Sequence, residues 1–142
     1  MDTTGRPAAA ERFMPDWIVC GAARLALVPG LWMWGRANAS VWPGVMPETV
    51  QAAQVWAVPL VDPLVLAQLA VWGAQICAAM LLLGVLTRLV GLVLLAACGV
   101  YMMWVAPDAW PAAILFAALA FHLFARGGGA LSIDGAIVAT TR

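Results

Sequence analysis

Arg24, Gln68, Trp72, Gln75 and His122 stand inside otherwise apolar runs, and their chemistry matters most for function. Arg24 sits about two turns into the first such run. A guanidinium at that depth in hydrocarbon is costly and is turned toward a bundle interior or a water-filled cavity. There it could hold an anion, a quinone carbonyl or a proton-linked group. The plainer readings are a side chain snorkelling to the nearer interface, or an ion pair with a carboxylate such as Asp134. Gln68, Trp72 and Gln75 recur at i, i+4 and i+7, so they share one helix face. Such a stripe either faces a ligand or bonds across to a neighbouring helix. His122 belongs to the residue class that can exchange protons; a hydrogen-bonded bundle histidine is the plainer reading.

No fuller constellation accompanies these residues. His122 has no Cys, Asp or Glu at i+3 or i+4 to complete a metal site, so no metal is expected. Cys20, Cys77 and Cys98 are too far apart in sequence for a C-x-x-C dithiol. Cys77 and Cys98 fall at similar mid-membrane depth and could meet, although buried cysteine commonly serves as a small apolar filler. No Ser/His/Asp set, phosphate loop or intramembrane carboxylate pair is present, and the catalytic residues stay unassigned.

What must position these side chains follows from composition. Of 142 residues, 65% are hydrophobic and 10% charged, with mean hydropathy +0.95. A soluble domain carries about 25% charged residues, and a chain this short cannot bury so much apolar surface in water. The seven bases, all arginine, balance seven acids. This excludes the basic footprint of a nucleic-acid binder and the composition of a disordered chain. A bilayer-embedded, all-α protein remains.

A spanning helix needs about 20 apolar residues. Four runs meet or approach this: about 17–35, 64–86, 89–105 and 109–125. They predict a transmembrane domain over 17–126, with an arm at 1–16 and a tail at 127–142. The spans follow one another in antiparallel, up-down order, and the tight Leu86-Thr87-Arg88 corner makes the second and third antiparallel neighbours. The one long connection, 36–63, contains a stretch from Glu48 to Val58 that could form a short interfacial helix, bracketed by Pro47 and Pro59. Gly91 with Gly99, and Ala113 with Ala117, suit close helix approach. Ala37-Asn38-Ala39 resembles a signal cleavage site. The apolar run before it begins at Trp17 and contains an arginine, so the segment is expected to be retained as a span.

Both termini and the 86–88 corner fall on one side, with Arg6, Arg12, Arg88, Arg126 and Arg142; the other side has only Arg36, with Glu48, Asp62 and Asp108. By the positive-inside rule the termini face the cytoplasm. Trp32, Trp34, Trp42, Trp56, Tyr101, Trp104 and Trp110 mark the outer interface, and Trp17 the inner one.

Three segments together resemble the DoxX/DoxD family of small four-helix bacterial membrane proteins. They are Ala23-Arg24-Leu25-Ala26-Leu27 through Gly35; Ala74-Gln75-Ile76 with Met80-Leu81-Leu82-Leu83-Gly84-Val85-Leu86-Thr87-Arg88-Leu89; and Arg126-Gly127-Gly128-Gly129-Ala130-Leu131-Ser132-Ile133-Asp134. The resemblance implies a multi-pass protein of the bacterial inner membrane associated with respiratory or sulfur redox chemistry. For DoxD-type members it implies a subunit passing thiosulfate electrons to quinone. It sets Arg24, Gln75, Arg88 and Asp134 on family-typical polar positions, with Arg88 and Asp134 in structural roles. Gln75 replaces a carboxylate common in the family, which removes a proton acceptor, and the outer connection carries no evident oxidoreductase module.

The leading expectation is an accessory or quinone-interacting subunit of a redox assembly, with Arg24, Gln68, Trp72, Gln75 and His122 as candidate ligand contacts. Quinone is the one cofactor implied. Lipid and redox partner subunits are the expected partners, and self-association is open. If the chain is itself enzymatic, the activity is of the thiosulfate:quinone oxidoreductase kind. A carrier or permease subunit is the alternative from another class, with Pro29-Gly30 as its only helix interruption. An anchor or assembly factor without ligand is the third reading.

Overall fold

The computed structural model describes residues 16–127. Arg6, Arg12, Asp134 and Arg142, and with them the arm, the tail and the Arg24–Asp134 pairing, lie outside the described residues. Helix α1 spans Asp16–Asn38, α2 Pro47–Trp56, α3 Pro63–Leu83 and α4 Thr87–Val100. Helix α4 runs on into one π-helical turn, Tyr101–Val105. A 3-10 turn, Pro107–Ala109, leads into α5, Trp110–Arg126. Four helical segments are long and apolar enough to cross a membrane: Ile18–Asn38, Pro63–Leu83, Thr87–Val105 and Pro107–Arg126. The protein is a multi-pass, all-α membrane protein.

The helix ends follow local chemistry. Asp62 caps α3, its carboxylate accepting from Leu64 N–H at 2.8 Å, and Pro63 takes the first helical position. At the other end Gly84 adopts φ +68. Gly84 N–H then reaches the Leu81 carbonyl at 3.3 Å and Val85 N–H the Met80 carbonyl at 3.0 Å, a Schellman closure. Leu86 is also left-handed, at φ +49, so the chain reverses within three residues and α4 starts at once.

The helices associate as two antiparallel pairs. α1 packs along α3, and α5 along α4, while α3 and α4 touch little. The second and third spans are antiparallel neighbours joined at Gly84–Leu86, and they meet through the apolar cluster rather than along their length. Small residues decide the pairing. A Cβ on Gly35 of α1 would stand 2.6 Å from Gln75 Cγ and 3.1 Å from the Val71 carbonyl oxygen of α3. A Cβ on Gly91 of α4 would stand 2.7 Å from Phe124 N and 2.8 Å from the Ala120 carbonyl oxygen of α5. Gly99 meets nothing within 4 Å, so of the expected glycine pair only Gly91 serves close approach.

The pairs meet through one apolar cluster of Ala23, Leu27, Cys77, Leu81, Val90, Leu94, Ala120 and Leu123. Its members lie toward the end of the bundle that carries the Gly84–Leu86 corner. Pro29 sits inside α1 without ending it. The interruption that suggested a carrier's broken helix is absent, since α1 is continuous through Pro29-Gly30.

Candidate functional site

The polar stripe on α3 bonds to backbone. Gln75, buried, donates from Nε2 to the Gly35 carbonyl oxygen at 3.2 Å. One and two turns toward the loops, Trp72 Nε1 and Gln68 Nε2 both donate to the Pro43 carbonyl oxygen, at 3.1 and 3.2 Å. Trp42 meets Trp72 edge-on, with ring centroids 4.7 Å apart and planes at 77°, a favourable aromatic geometry. The stripe thus fastens the end of α1 and the following turn to α3. Asn38 and Thr49 extend the fastening: Thr49 Oγ1 donates to Asn38 Oδ1 at 2.9 Å, and Asn38 Nδ2 donates to the Trp34 carbonyl at 2.8 Å. This second pair carries no helical periodicity, because it links α1 to α2 across a turn.

Arg24 and His122 lie at the opposite end, toward the corner. Cys20 Sγ and His122 Nε2 are 3.7 Å apart, linking α1 to α5. Arg24, one turn along α1 from Cys20, is 7% exposed and is not a free charge. A small hollow of about 170 Å³ lies beside it, lined by Gly21, Arg24, Leu25, Val28 and Leu82. Arg88, exposed at the start of α4, lies over Gly127, where a Cβ would stand 3.1 Å from Arg88 Nε. The five candidate contacts therefore form two separate groups, one toward each end of the bundle, with Arg24 and His122 beside the apolar cluster.

A larger cavity than this hollow belongs to neither group. Between the two helix pairs, in the half nearer the 39–62 loop, runs a cleft of about 790 Å³. This is within the range of small-molecule sites, about 300–1,000 Å³. Its floor is Leu27, Cys77 and Leu94, which belong also to the core cluster. The α3 face that lines it (Leu66, Leu69, Ala70, Gly73, Ala74, Cys77) lies beside the Gln68–Trp72–Gln75 stripe. At its mouth stand Trp34 of α1, Trp56 of α2 and Tyr101 of the π-turn. The sequence marks all three only as members of the interfacial belt, not as residues that line a cavity.

Cys77 and Cys98 both border this cleft as free thiols. At about 1.5 Å per residue, Cys77 lies about 10 Å and Cys98 about 18 Å along its helix from the corner. They share a cavity at staggered heights. Among the described residues no three His, Cys, Asp or Glu side chains converge as a metal site.

A family model described as "TQO small subunit DoxD" matches residues 51–141. The chain belongs to the DoxD family. The match takes in α3, α4 and α5 with the tail, and so includes two of the three resembling segments; Ala23 to Gly35 precedes it. No curated protein and no solved structure matches the chain. In this DoxD-family chain the cleft between helix pairs is bordered by matched and unmatched segments alike, since α1 supplies Leu27, Gly30, Leu31 and Trp34.

Proposed function

We propose that this chain is a small integral membrane subunit of a thiosulfate:quinone oxidoreductase-like assembly, and that the interpair cleft is where quinone resides. The observation that carries this reading is the cleft itself. Its walls are almost wholly aliphatic, matching an isoprenoid tail, and its mouth offers aromatic rings and polar hydrogens to a flat carbonyl-bearing head. The family description, a TQO small subunit, supplies the redox context. A bound quinone would supply a two-electron, two-proton acceptor. The chain's own residues hold it: Leu27 and Leu94 close the floor, and Trp34, Trp56 and Tyr101 border the polar end.

Electrons then arrive from a partner subunit, which places the chain among accessory subunits of a redox complex. The arginine count, five on the side of the termini against one opposite, supports termini in the cytoplasm of a bacterial inner membrane. The cleft then opens in the outer half of the bilayer. Arg24, Cys20 and His122 occupy the inner half, beside the apolar cluster, where proton movement or partner docking is their role in this reading.

Gly73 gives the test. It borders the cleft, and a Cβ there meets nothing within 4 Å, so Gly73→Trp starts from an uncrowded position and directs its bulk at the cavity. Protein purified in mild detergent should carry quinone, extractable and quantifiable by chromatography, and Gly73→Trp should lose it while keeping its thermal stability. Equal quinone in the two proteins, or none in the native one, contradicts the reading. In the second case a ligand-free anchor becomes the better account.

A further inference from the structure

The mouth of the cleft has a chemical bias that its walls lack. Trp34, Trp56 and Tyr101 come from three different elements, yet all border one opening. Tyr101 begins the single π-helical turn in the chain's described part. A π-turn widens the helix and shifts the residues after it out of α-helical register, and such turns recur at functional sites. Among the described residues, the side chains of Trp34, Trp56 and Tyr101 make no hydrogen bond to protein. This contrasts with Trp72, whose indole is committed to the Pro43 carbonyl. An indole N–H only donates, and a phenol donates readily. The opening is therefore rich in donors, and no carboxylate or carboxamide side chain is among its lining residues.

Resting on the quinone reading above, we infer that Trp34, Trp56 and Tyr101 form a head-group subsite that selects the oxidised ring over the reduced one. A quinone presents two carbonyl acceptors, which indole and phenol hydrogens satisfy. A quinol brings two hydroxyl donors of its own into the same apolar opening, and these meet few acceptors. A polar group left unsatisfied on burial is penalised more than a formed bond is rewarded. The subsite thus takes up the oxidised ligand and releases the reduced one, which suits an acceptor site that must discharge its product into the membrane. The tail lies toward Leu27 and Leu94, and the head stays away from Arg24 and His122.

Equilibrium dialysis of the full chain in detergent against decylubiquinone, oxidised and chemically reduced, tests this. The native protein should bind the oxidised form several-fold more tightly. Tyr101→Phe and Trp56→Phe should each weaken oxidised binding by about 2–10-fold, as expected for one lost hydrogen bond. Reduced binding should change little, so the oxidised-to-reduced preference falls; unchanged melting temperatures show that both variants fold. Equal affinity for the two forms, or a preference unaltered by both variants, overturns the subsite. If Gly73→Trp still abolishes binding in that case, quinone occupancy of the cleft stands and only the head-group assignment fails. Absence of binding by the native protein overturns both.

Discussion

Gln75 Nε2 lies 3.2 Å from the Gly35 carbonyl oxygen, and a Cβ on Gly35 would stand 2.6 Å from Gln75 Cγ. A side chain that bonds to a backbone this close depends on the residue opposite being glycine. Gly35→Ala must push Gln75 aside and also crowd the Val71 carbonyl, an overpacking cost of about 1–3 kcal/mol. Gln75→Leu removes only the bond, and interhelical hydrogen bonds in membranes average about 0.6 kcal/mol. Unfolding in mixed micelles should therefore show Gly35→Ala as the more damaging of the two. The reverse order would mean that the hydrogen bond, and not the close approach, holds α1 to α3.

The α4–α5 contact is less forgiving. At Gly91 the atoms in the way are the Phe124 nitrogen and the Ala120 carbonyl, both backbone, and neither can rotate aside. Gly91→Ala should destabilise at or above the upper end of the same overpacking range, about 3 kcal/mol. Gly99→Ala, on the same helix with open space around it, should stay within about 0.5 kcal/mol, as for changes that touch no packed feature. Equal effects at the two glycines would contradict the packing described for α4.

Accessibility separates the three thiols. Cys20 is 1% exposed and Cys77 8%, whereas Cys98 is only half-buried, and Cys77 and Cys98 border the cleft. A membrane-permeant maleimide should label Cys98 first, Cys77 more slowly and Cys20 only after denaturation. Gly73→Trp should slow labelling at Cys77 and Cys98 together. Early labelling of Cys20, followed by mass spectrometry of its peptide, would show that the α1–α5 contact at His122 is open.

The spans were legible because the bilayer sets a length, and runs such as Pro63–Leu83 meet it without charge. The stripe Gln68–Trp72–Gln75 was legible as one face, since polar residues contrast with apolar neighbours. Its partners were not, because Pro43 and Gly35 contribute backbone carbonyls, which no sequence marks. The cleft was hidden for a related reason: Leu69, Ala70, Gly73 and Val93 would look the same facing lipid, a cavity or another helix. In hydrocarbon, periodicity loses the contrast that reveals a core in water. Chain adjacency at Leu86–Arg88 marked the second and third spans as antiparallel neighbours, but not that Gly35 and Gly91 set the closest pairs through close approach. The π-turn at Tyr101 leaves no compositional trace, and Arg24 drew attention to the half of the bundle that lacks the large cavity.

The most direct test of quinone occupancy is photoaffinity labelling of the membrane-embedded protein with an azidoquinone, followed by peptide mapping. The cleft predicts label on the Leu69–Cys77 and Val93–Tyr101 segments, suppressed by excess decylubiquinone. Label confined to the peptides bearing Arg24 and His122, or spread over lipid-facing positions without competition, would contradict it.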